Sequence, residues 1–147
     1  MTTQGTATDA GLASELRLAV MRMRRRLAAE RHPDNELSIN QMGVLAILNR
    51  RGALTVGELA AAEKVQPPSM TRTVNCLVGT GDVAKRPHES DGRQIVVEIS
   101  EQGRARVAAD RVRRDAWLAR RLDELTPDDR EVLRRAADLL ENLAQKD

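Results

Sequence analysis

The chain has no phenylalanine, no tyrosine, one tryptophan and one cysteine. The single cysteine, Cys76, cannot form an internal disulfide and cannot build a cysteine-rich zinc site. No apolar run approaches the roughly 18–20 residues that span a bilayer, and the N-terminus has neither the basic start nor the apolar stretch of a signal peptide. We therefore expect a cytoplasmic protein with no membrane partner, preceded by a disordered lead-in over residues 1–11.

The composition favours helices packed around an aliphatic core. The 147 residues fit one domain, and alanine, leucine, arginine and glutamate all favour helix. The net charge is only +2, but it is unevenly distributed. Residues 15–31 contain six arginines and two glutamates, and residues 104–121 contain seven arginines and two aspartates. Such runs are also typical of solvated helix faces, so charge alone is weak support for binding nucleic acid.

Several helix starts are marked by local motifs. Ser38 with Gln41, and Thr55 with Glu58, have the spacing of a capping box, in which side chain and backbone exchange hydrogen bonds. These motifs predict helices that begin after Ser38 and after Thr55. An earlier helix is predicted from apolar residues that recur with the spacing of one helical stripe, at positions 12, 16, 19, 20, 23 and 27.

A further helix is predicted to begin at Pro67 and Pro68. Gln66 precedes a proline and is kept out of the α region, which suits a helix cap, and the prolines occupy the first turn, where an N–H group is not needed. Gly81 is predicted to end this helix, and its predicted buried stripe comprises Met70, Val74, Leu77 and Val78.

A two-stranded hairpin is predicted next, over residues 82–86 and 94–99. Two long helices follow it, capped by Ser100 and Thr126. The predicted fold is therefore mainly α with a small β-hairpin, in which a helix-turn-helix precedes the hairpin. Alternate residues of the second strand are predicted to be buried, with those between them exposed, because apolar residues recur there with a period of two, namely Ile95, Val97 and Ile99.

The second helix of the helix-turn-helix is a candidate for insertion into DNA, because a helix fills the major groove and a hairpin beside it reaches the adjacent minor groove. Ser69 and Arg72 are predicted at the centre of its exposed face, with Thr71 near the edge of the stripe. Hydroxyl groups and arginine bind phosphate oxygens and guanine edges. The alternative is a merely solvated helix face. The candidate DNA-binding residues on this helix are Pro68, Ser69, Thr71, Arg72, Thr73 and Asn75.

The hairpin carries the second group of candidates. Asp-Gly is a strong turn dipeptide with no need of a function. However, basic side chains are predicted to lie together there, and narrow minor grooves attract arginine through their negative potential. We predict a wing with Arg93 as its minor-groove contact, whose guanidinium Asp91 either orients or leaves free while bracing the turn. The candidate DNA-binding residues of the wing are Lys85, Arg86, His88, Asp91 and Arg93.

Residues 54–103, LTVGELAAAEKVQPPSMTRTVNCLVGTGDVAKRPHESDGRQIVVEISEQG, resemble the winged helix-turn-helix core of the MarR family of bacterial transcription regulators. The matching features are ELA in the short helix, PPSMTR at the start of the next, DGR in the wing and IS..G before the following helix. The flanking helices match in length and order, so the resemblance covers about residues 12–145.

The resemblance implies a single domain over residues 12–147. A winged helix-turn-helix of about residues 38–100 would be flanked by dimerisation helices of about residues 12–31 and 101–145, which intertwine in a homodimer. The residues agree on the dimer, because the last predicted helix is apolar over too wide an arc to pack on one side only.

The resemblance also implies a function and the roles of particular residues. It implies a repressor that binds a pseudo-palindromic operator in double-stranded DNA and releases it on binding a small phenolic or lipophilic effector, or on cysteine oxidation. Ser69, Thr71 and Arg72 would lie near bases or phosphates, and Arg93 in the minor groove. The effector-binding residues are not indicated.

Other functions have less support. The sequence has neither a glycine-rich phosphate loop nor a Ser/His/Asp set, so nothing in it favours an enzyme. No cofactor is expected, and no metal site is expected because His32 and His88 do not have the spacing of metal ligands. Cys76 makes a redox-responsive regulator an alternative, although reactivity requires a lowered thiol pKa. A winged-helix protein-interaction module without specific DNA binding is a second alternative. Trp117 is predicted in the core or a dimer interface, with a place in an effector pocket as the alternative.

Overall fold

The computed structural model describes residues 9–146. The first helix begins at Asp9, three residues before the predicted start, and residues 1–8 of the predicted lead-in lie outside the described residues. The predicted order of elements is confirmed, with one added strand. The elements are α1 (Asp9–Ala29), α2 (Ile39–Arg51), β1 (Leu54–Thr55), α3 (Val56–Glu63), α4 (Pro67–Gly79), β2 (Val83–Pro87), β3 (Ile95–Ile99), α5 (Glu101–Asp123) and α6 (Pro127–Ala144).

Both predicted capping boxes are confirmed. The Ser38 N–H donates to Gln41 Oε1 at 2.8 Å, and the Gln41 N–H donates back to Ser38 Oγ at 3.1 Å. Thr55 and Glu58 make the same exchange at 3.1 and 3.0 Å. The Thr55 backbone N–H, followed by its hydroxyl, holds the pKa of Glu58 below its ordinary value. Each box satisfies backbone groups that would otherwise be unpaired at a helix start.

The helix α4 begins and ends as predicted. Gln66 caps it in an extended conformation with both prolines in the first turn. At the other end, Gly81 has φ +82°, a left-handed conformation that favours glycine. The Gly81 N–H donates to the carbonyl of Val78 at 3.1 Å, and the Asp82 N–H donates to the carbonyl of Leu77 at 2.9 Å. This paired hydrogen bonding is the Schellman motif, and it turns the chain sharply into β2.

The hairpin belongs to a three-stranded antiparallel sheet, ordered β1-β3-β2. In β2 and β3, Val83 pairs with Ile99 and Pro87 with Ile95. The strand β1, which the sequence did not predict, adds two residues on the other side of β3, where Thr55 pairs with Val96. The base of the wing is therefore hydrogen-bonded to the residues that start α3.

The core lies within the central part of the chain. Its most deeply buried residues come from α2, α3, α4 and β3, and α5 contributes Val107, whereas α1 and α6 contribute no buried residue. In residues 9–146, no helix has the length and apolar character needed to cross a membrane. The apolar side chains with at most 1% exposure are those of Val44, Leu45, Leu48, Leu59, Val74, Leu77 and Val97.

Three side chains depart from the predicted burial. Val78 and Ile95 are each 38% exposed, and Val96 is 6% exposed. Val78 lies in the last turn of α4, and Ile95 pairs with Pro87 at the outer end of the β2–β3 pairing. Val96 is paired with Thr55 and Arg86 in the central strand β3 and is buried on the opposite face of the sheet from Val97.

A buried polar network joins α5 to the chain before α2. Asp110 is completely buried, and its carboxylate accepts hydrogen bonds from the His32 backbone N–H at 3.1 Å and from Asn35 Nδ2 at 2.7 Å. Arg114 forms an ion pair with it at 3.8 Å. A buried carboxylate requires such partners, because burying an unpaired polar group costs free energy.

Replacing Asp110 by asparagine should lower the free energy of unfolding by about 1–3 kcal/mol. An amide has one accepting oxygen where the carboxylate has two, so a buried donor is left unsatisfied. The measurement is urea-induced unfolding at a fixed protein concentration. Asp115→Asn, on the exposed face of the same helix, is the control and should change stability little. Equal effects at both positions would contradict a structural role for the buried carboxylate.

Candidate nucleic-acid interface

An open groove lies between α4, the wing and the start of α3, with a volume of about 650 Å³. Thr71, Asn75, Lys85 and Arg93, all predicted DNA-binding residues, line this groove together. Cationic and amide donors are therefore concentrated between the helix and the hairpin. The other candidates lie on neighbouring surfaces, outside the groove.

The exposed face of α4 is rotated from its predicted position. Thr71 and Arg72 are exposed, but Ser69 and Thr73 are half-buried. The exposure of Val78 belongs to the same rotation, since a buried arc without Val78 lies farther from Thr71 and nearer to Ser69. Pro68 and Asn75 are exposed, as expected of residues that contact a partner.

The hydroxyl groups on α4 are engaged within the helix. Thr71 Oγ1 donates to the Pro67 carbonyl at 3.0 Å, and Thr73 Oγ1 donates to the Ser69 carbonyl at 3.1 Å. Arg72 donates to Ser69 Oγ at 3.4 Å, a long contact that an exposed guanidinium can exchange readily. Arg72 is the one charged residue of α4 and is exposed, while the threonine oxygens can still accept hydrogen bonds.

Asp91 organises the tip of the wing. Its Oδ1 accepts from the Arg93 backbone N–H at 3.1 Å and from Arg93 Nε at 3.3 Å, and its Oδ2 accepts from Gln94 Nε2 at 3.4 Å. The carboxylate therefore has both contacts: it braces the turn through the Arg93 backbone and also pairs with the Arg93 guanidinium. The Arg93 side chain remains 94% exposed, so its outer nitrogens face solvent.

The remaining wing candidates do not all point into the groove. Lys85 Nζ donates to Asn75 Oδ1 at 2.7 Å, whereas Arg86 is paired with Glu98 across the strands. Neighbouring residues of a strand point to opposite faces, so these two cations are separated rather than clustered. His88 Nδ1 accepts hydrogen bonds from the backbone N–H groups of Ser90 and Asp91, at 3.2 Å each, and thereby stabilises the loop.

Some residues of the groove were not predicted. Gln94 and Ile95 line it from the wing, and Gly57 and Glu58 line it from the start of α3. Gln94 could have been predicted from the sequence, because it is a polar residue next to Arg93. The contribution of α3 depends on how β1 brings its first turn against the wing, and no local pattern encodes that approach.

The residues considered for other chemistry lie elsewhere. Cys76 is exposed on α4. The Trp117 ring of α5 lies under the guanidinium of Arg26 of α1, 4.4 Å from the ring centre, with Arg121 at 5.7 Å. Trp117 is thus outside the central core, in a cation–π contact. Within residues 9–146, no three His, Cys, Asp or Glu side chains are grouped to hold a metal ion.

The helix-turn-helix of α3 and α4, followed by the β2–β3 hairpin, defines a winged helix-turn-helix protein. The model of the MarR family matches residues 37–95. An HTH-type transcriptional regulator of Mycobacterium tuberculosis is 47% identical over 133 residues, which cover 90% of this chain and 92% of the relative. The chain belongs to the MarR family and is a DNA-binding transcription regulator rather than an enzyme.

Two solved structures share the fold. A putative transcriptional regulator of Pseudomonas aeruginosa matches with a TM-score of 0.83 and 31% identity, covering 97% of this chain and 100% of that one. FabT of Streptococcus pneumoniae, solved in complex with DNA, matches with a TM-score of 0.70 over 93% of this chain and 98% of its own. At 15% identity, the second similarity concerns the fold alone.

Proposed function

We propose that the protein is a homodimeric repressor that binds a pseudo-palindromic operator and acts in the cytoplasm. In each protomer, α4 enters the major groove and the wing enters the flanking minor groove. The observation that carries this proposal is the position of Arg93, which is held at the wing tip by Asp91 with its side chain 94% exposed and lines one groove with Thr71 and Asn75 of α4. Arg72 is also exposed on α4. Both arginines are available to phosphates and base edges.

The dimer is supported by the terminal helices. No residue of α1 or α6 is buried, although both helices carry large apolar side chains that are 36–64% exposed. A monomer would expose this apolar surface to water. We therefore assign dimerisation to about residues 12–31 and 101–145 and DNA binding to about residues 38–100, within one domain of residues 12–147.

The resemblance to the MarR family favours repression, in which the bound dimer would cover a promoter. The resemblance to the MarR family favours release by a small phenolic or lipophilic effector. A cavity of about 160 Å³ between α5 and the chain before α2 suits only a small polar or phenolic compound, because Arg106, Asn35 and Asp110 line it.

Entry of an effector there would disturb contacts that reach the wing. Arg106 Nε donates to the buried Asp82, directly before β2, at 2.9 Å, and its NH1 lies 3.5 Å from Asn35 Oδ1. Displacing Arg106 would therefore loosen the base of the wing from the long helix α5. This route links a small molecule to the spacing of the two DNA-binding units.

Arg93→Ala is the test of the DNA-binding mode. The operator is first obtained by selection of bound sequences from random DNA. Loss of one charged contact in each protomer should weaken operator binding by about 1.5–3 kcal/mol per contact and flatten the salt dependence by about one unit of slope per contact. Preference for A·T-rich flanks should fall, because a narrow minor groove attracts arginine.

Two control variants complete the test. Arg134→Ala removes an exposed arginine from α6, where it pairs with Glu131, and should leave the affinity unchanged. Asp91→Ala should be non-additive with Arg93→Ala if the carboxylate acts by orienting the guanidinium. Full operator affinity of Arg93→Ala at physiological salt would overturn the wing contact, and a wild-type protein that enriches no sequence would favour the protein-interaction module.

A further inference from the structure

The hydrogen bond between Lys85 and Asn75 joins the wing to α4 at the groove. Lys85 Nζ lies 2.7 Å from Asn75 Oδ1, and both residues are exposed. An ammonium group has donors only, so the amide must turn its oxygen toward Lys85 and its NH₂ group away. The orientation of this side-chain amide is therefore fixed by a residue ten positions later in the sequence.

This orientation limits what Asn75 can recognise. Asparagine binds adenine by accepting from N6 with its oxygen while donating to N7. The oxygen of Asn75 keeps a second lone pair, but an N6–H donor placed there would face the ammonium of Lys85. The two residues together present donors only: the NH₂ group of the amide and the remaining N–H groups of the ammonium.

Two adjacent acceptors complement such a group, and guanine offers them at O6 and N7 in the major groove. A phosphate also offers acceptors only, but the groove is lined as well by Glu58, whose pKa is held low chiefly by the Thr55 N–H. Lys85 and Arg93 line the same groove, and Glu58 offsets only one of these two charges, so the experiment below distinguishes a phosphate from a base edge.

We propose that Lys85 positions the amide of Asn75 and donates beside it, so that the pair selects guanine and rejects adenine at one position in each half-site. This inference rests on the proposed function, because it requires α4 to lie in the major groove. It adds a determinant of specificity located in the wing strand β2 rather than in the helix that contacts the base.

The test compares the sequences selected from random DNA by the full-length wild type and three variants. Asn75→Ala should lose the guanine preference at one symmetric pair of positions by about tenfold. Lys85→Met, which keeps a long side chain but removes the donors, should shift that position from guanine toward adenine. Lys85→Arg, which restores donors, should keep guanine. Unfolding curves of all variants check that each is folded.

The outcomes separate this inference from the proposed function. An operator whose guanine preference survives in Lys85→Met would overturn the positioning role. Equal weakening of all sequences by Asn75→Ala would assign the amide to phosphate, and a wild-type requirement for adenine at the affected position would also overturn the inference. If the wild type enriches no sequence, both proposals fail together.

Discussion

Replacing Gly103 by alanine should destabilise the protein by about 3 kcal/mol or more, enough to remove much of the stability of a typical small domain. A Cβ atom at this position would lie 2.3 Å from the Asp82 carbonyl oxygen and 2.8 Å from Ile99 Cγ1. The first neighbour is backbone, so a rotamer change cannot relieve the contact. The helix α5 would have to move away from the base of the wing.

The Asp82 backbone cannot move easily either. Its carbonyl accepts the Ser100 N–H at 2.9 Å, and its N–H completes the end of α4. Ser100 Oγ donates to the Gly81 carbonyl at 2.6 Å, and Gln102 Nε2 donates to the Thr80 carbonyl at 2.7 Å. The start of α5 is thus fastened to the turn between α4 and β2, and the substitution strains all of these hydrogen bonds together.

Thermal and urea unfolding measure the effect, with Gly79→Ala as the matched control. Gly79 ends α4, and a Cβ there would meet nothing within 4 Å. The same substitution should therefore be neutral or slightly stabilising, because alanine favours helix over glycine. If Gly103→Ala were as stable as Gly79→Ala, the close approach of α5 to Asp82 would be wrong.

The parts of the fold that could be predicted from the sequence depend on contacts within a few residues. The capping boxes at Ser38 and Thr55 close over three positions, and the left-handed Gly81 ends α4 by bonds to its own last turn. Such local chemistry is written directly in the residue order. Gly103 belongs to the IS..G pattern that resembles the MarR family, but the physical reason for a glycine there is its close approach to the Asp82 carbonyl, which only the structure shows.

The parts that could not be predicted depend on residues far apart in the chain. Asp82 and Asp110 are completely buried, although charged residues on such segments are usually solvated. Their partners, Arg106 for one and Asn35 for the other, lie 24 and 75 residues away. Asn75 and Lys85 were each predicted to contact DNA, but nothing in the local pattern indicated that they bind each other.

Placing two aspartates in the apolar face of α6 should greatly weaken operator binding by dissociating the dimer. Leu133 and Leu140 are 45% and 36% exposed and lie on one face of a helix that has no buried residue. In a symmetric dimer, each substitution occurs twice, so the variant loses burial at four positions. Full burial of a leucine contributes about 1.5–3 kcal/mol, and only the exposed fractions of these leucines remain to be buried, so the lost burial is about 2–5 kcal/mol in the dimer. Burying four aspartates in the interface adds a further desolvation cost.

Light scattering coupled to size-exclusion chromatography measures the mass, and gel shifts on the selected operator measure DNA binding. We expect the wild type to be a dimer and Leu133→Asp/Leu140→Asp to be a monomer that aggregates or unfolds more easily, since a dissociated protomer exposes the apolar side chains of α1 and α6. Asn142→Asp adds a charge to the opposite face of α6 and should remain a dimer with full affinity. A wild-type monomer, or a double variant that keeps both its mass and its operator affinity, would show that α6 is not a dimerisation helix. If the winged unit stays folded in the monomeric variant, binding to a single half-site should persist only weakly, because the second α4 no longer adds its contacts at the neighbouring turn of the DNA.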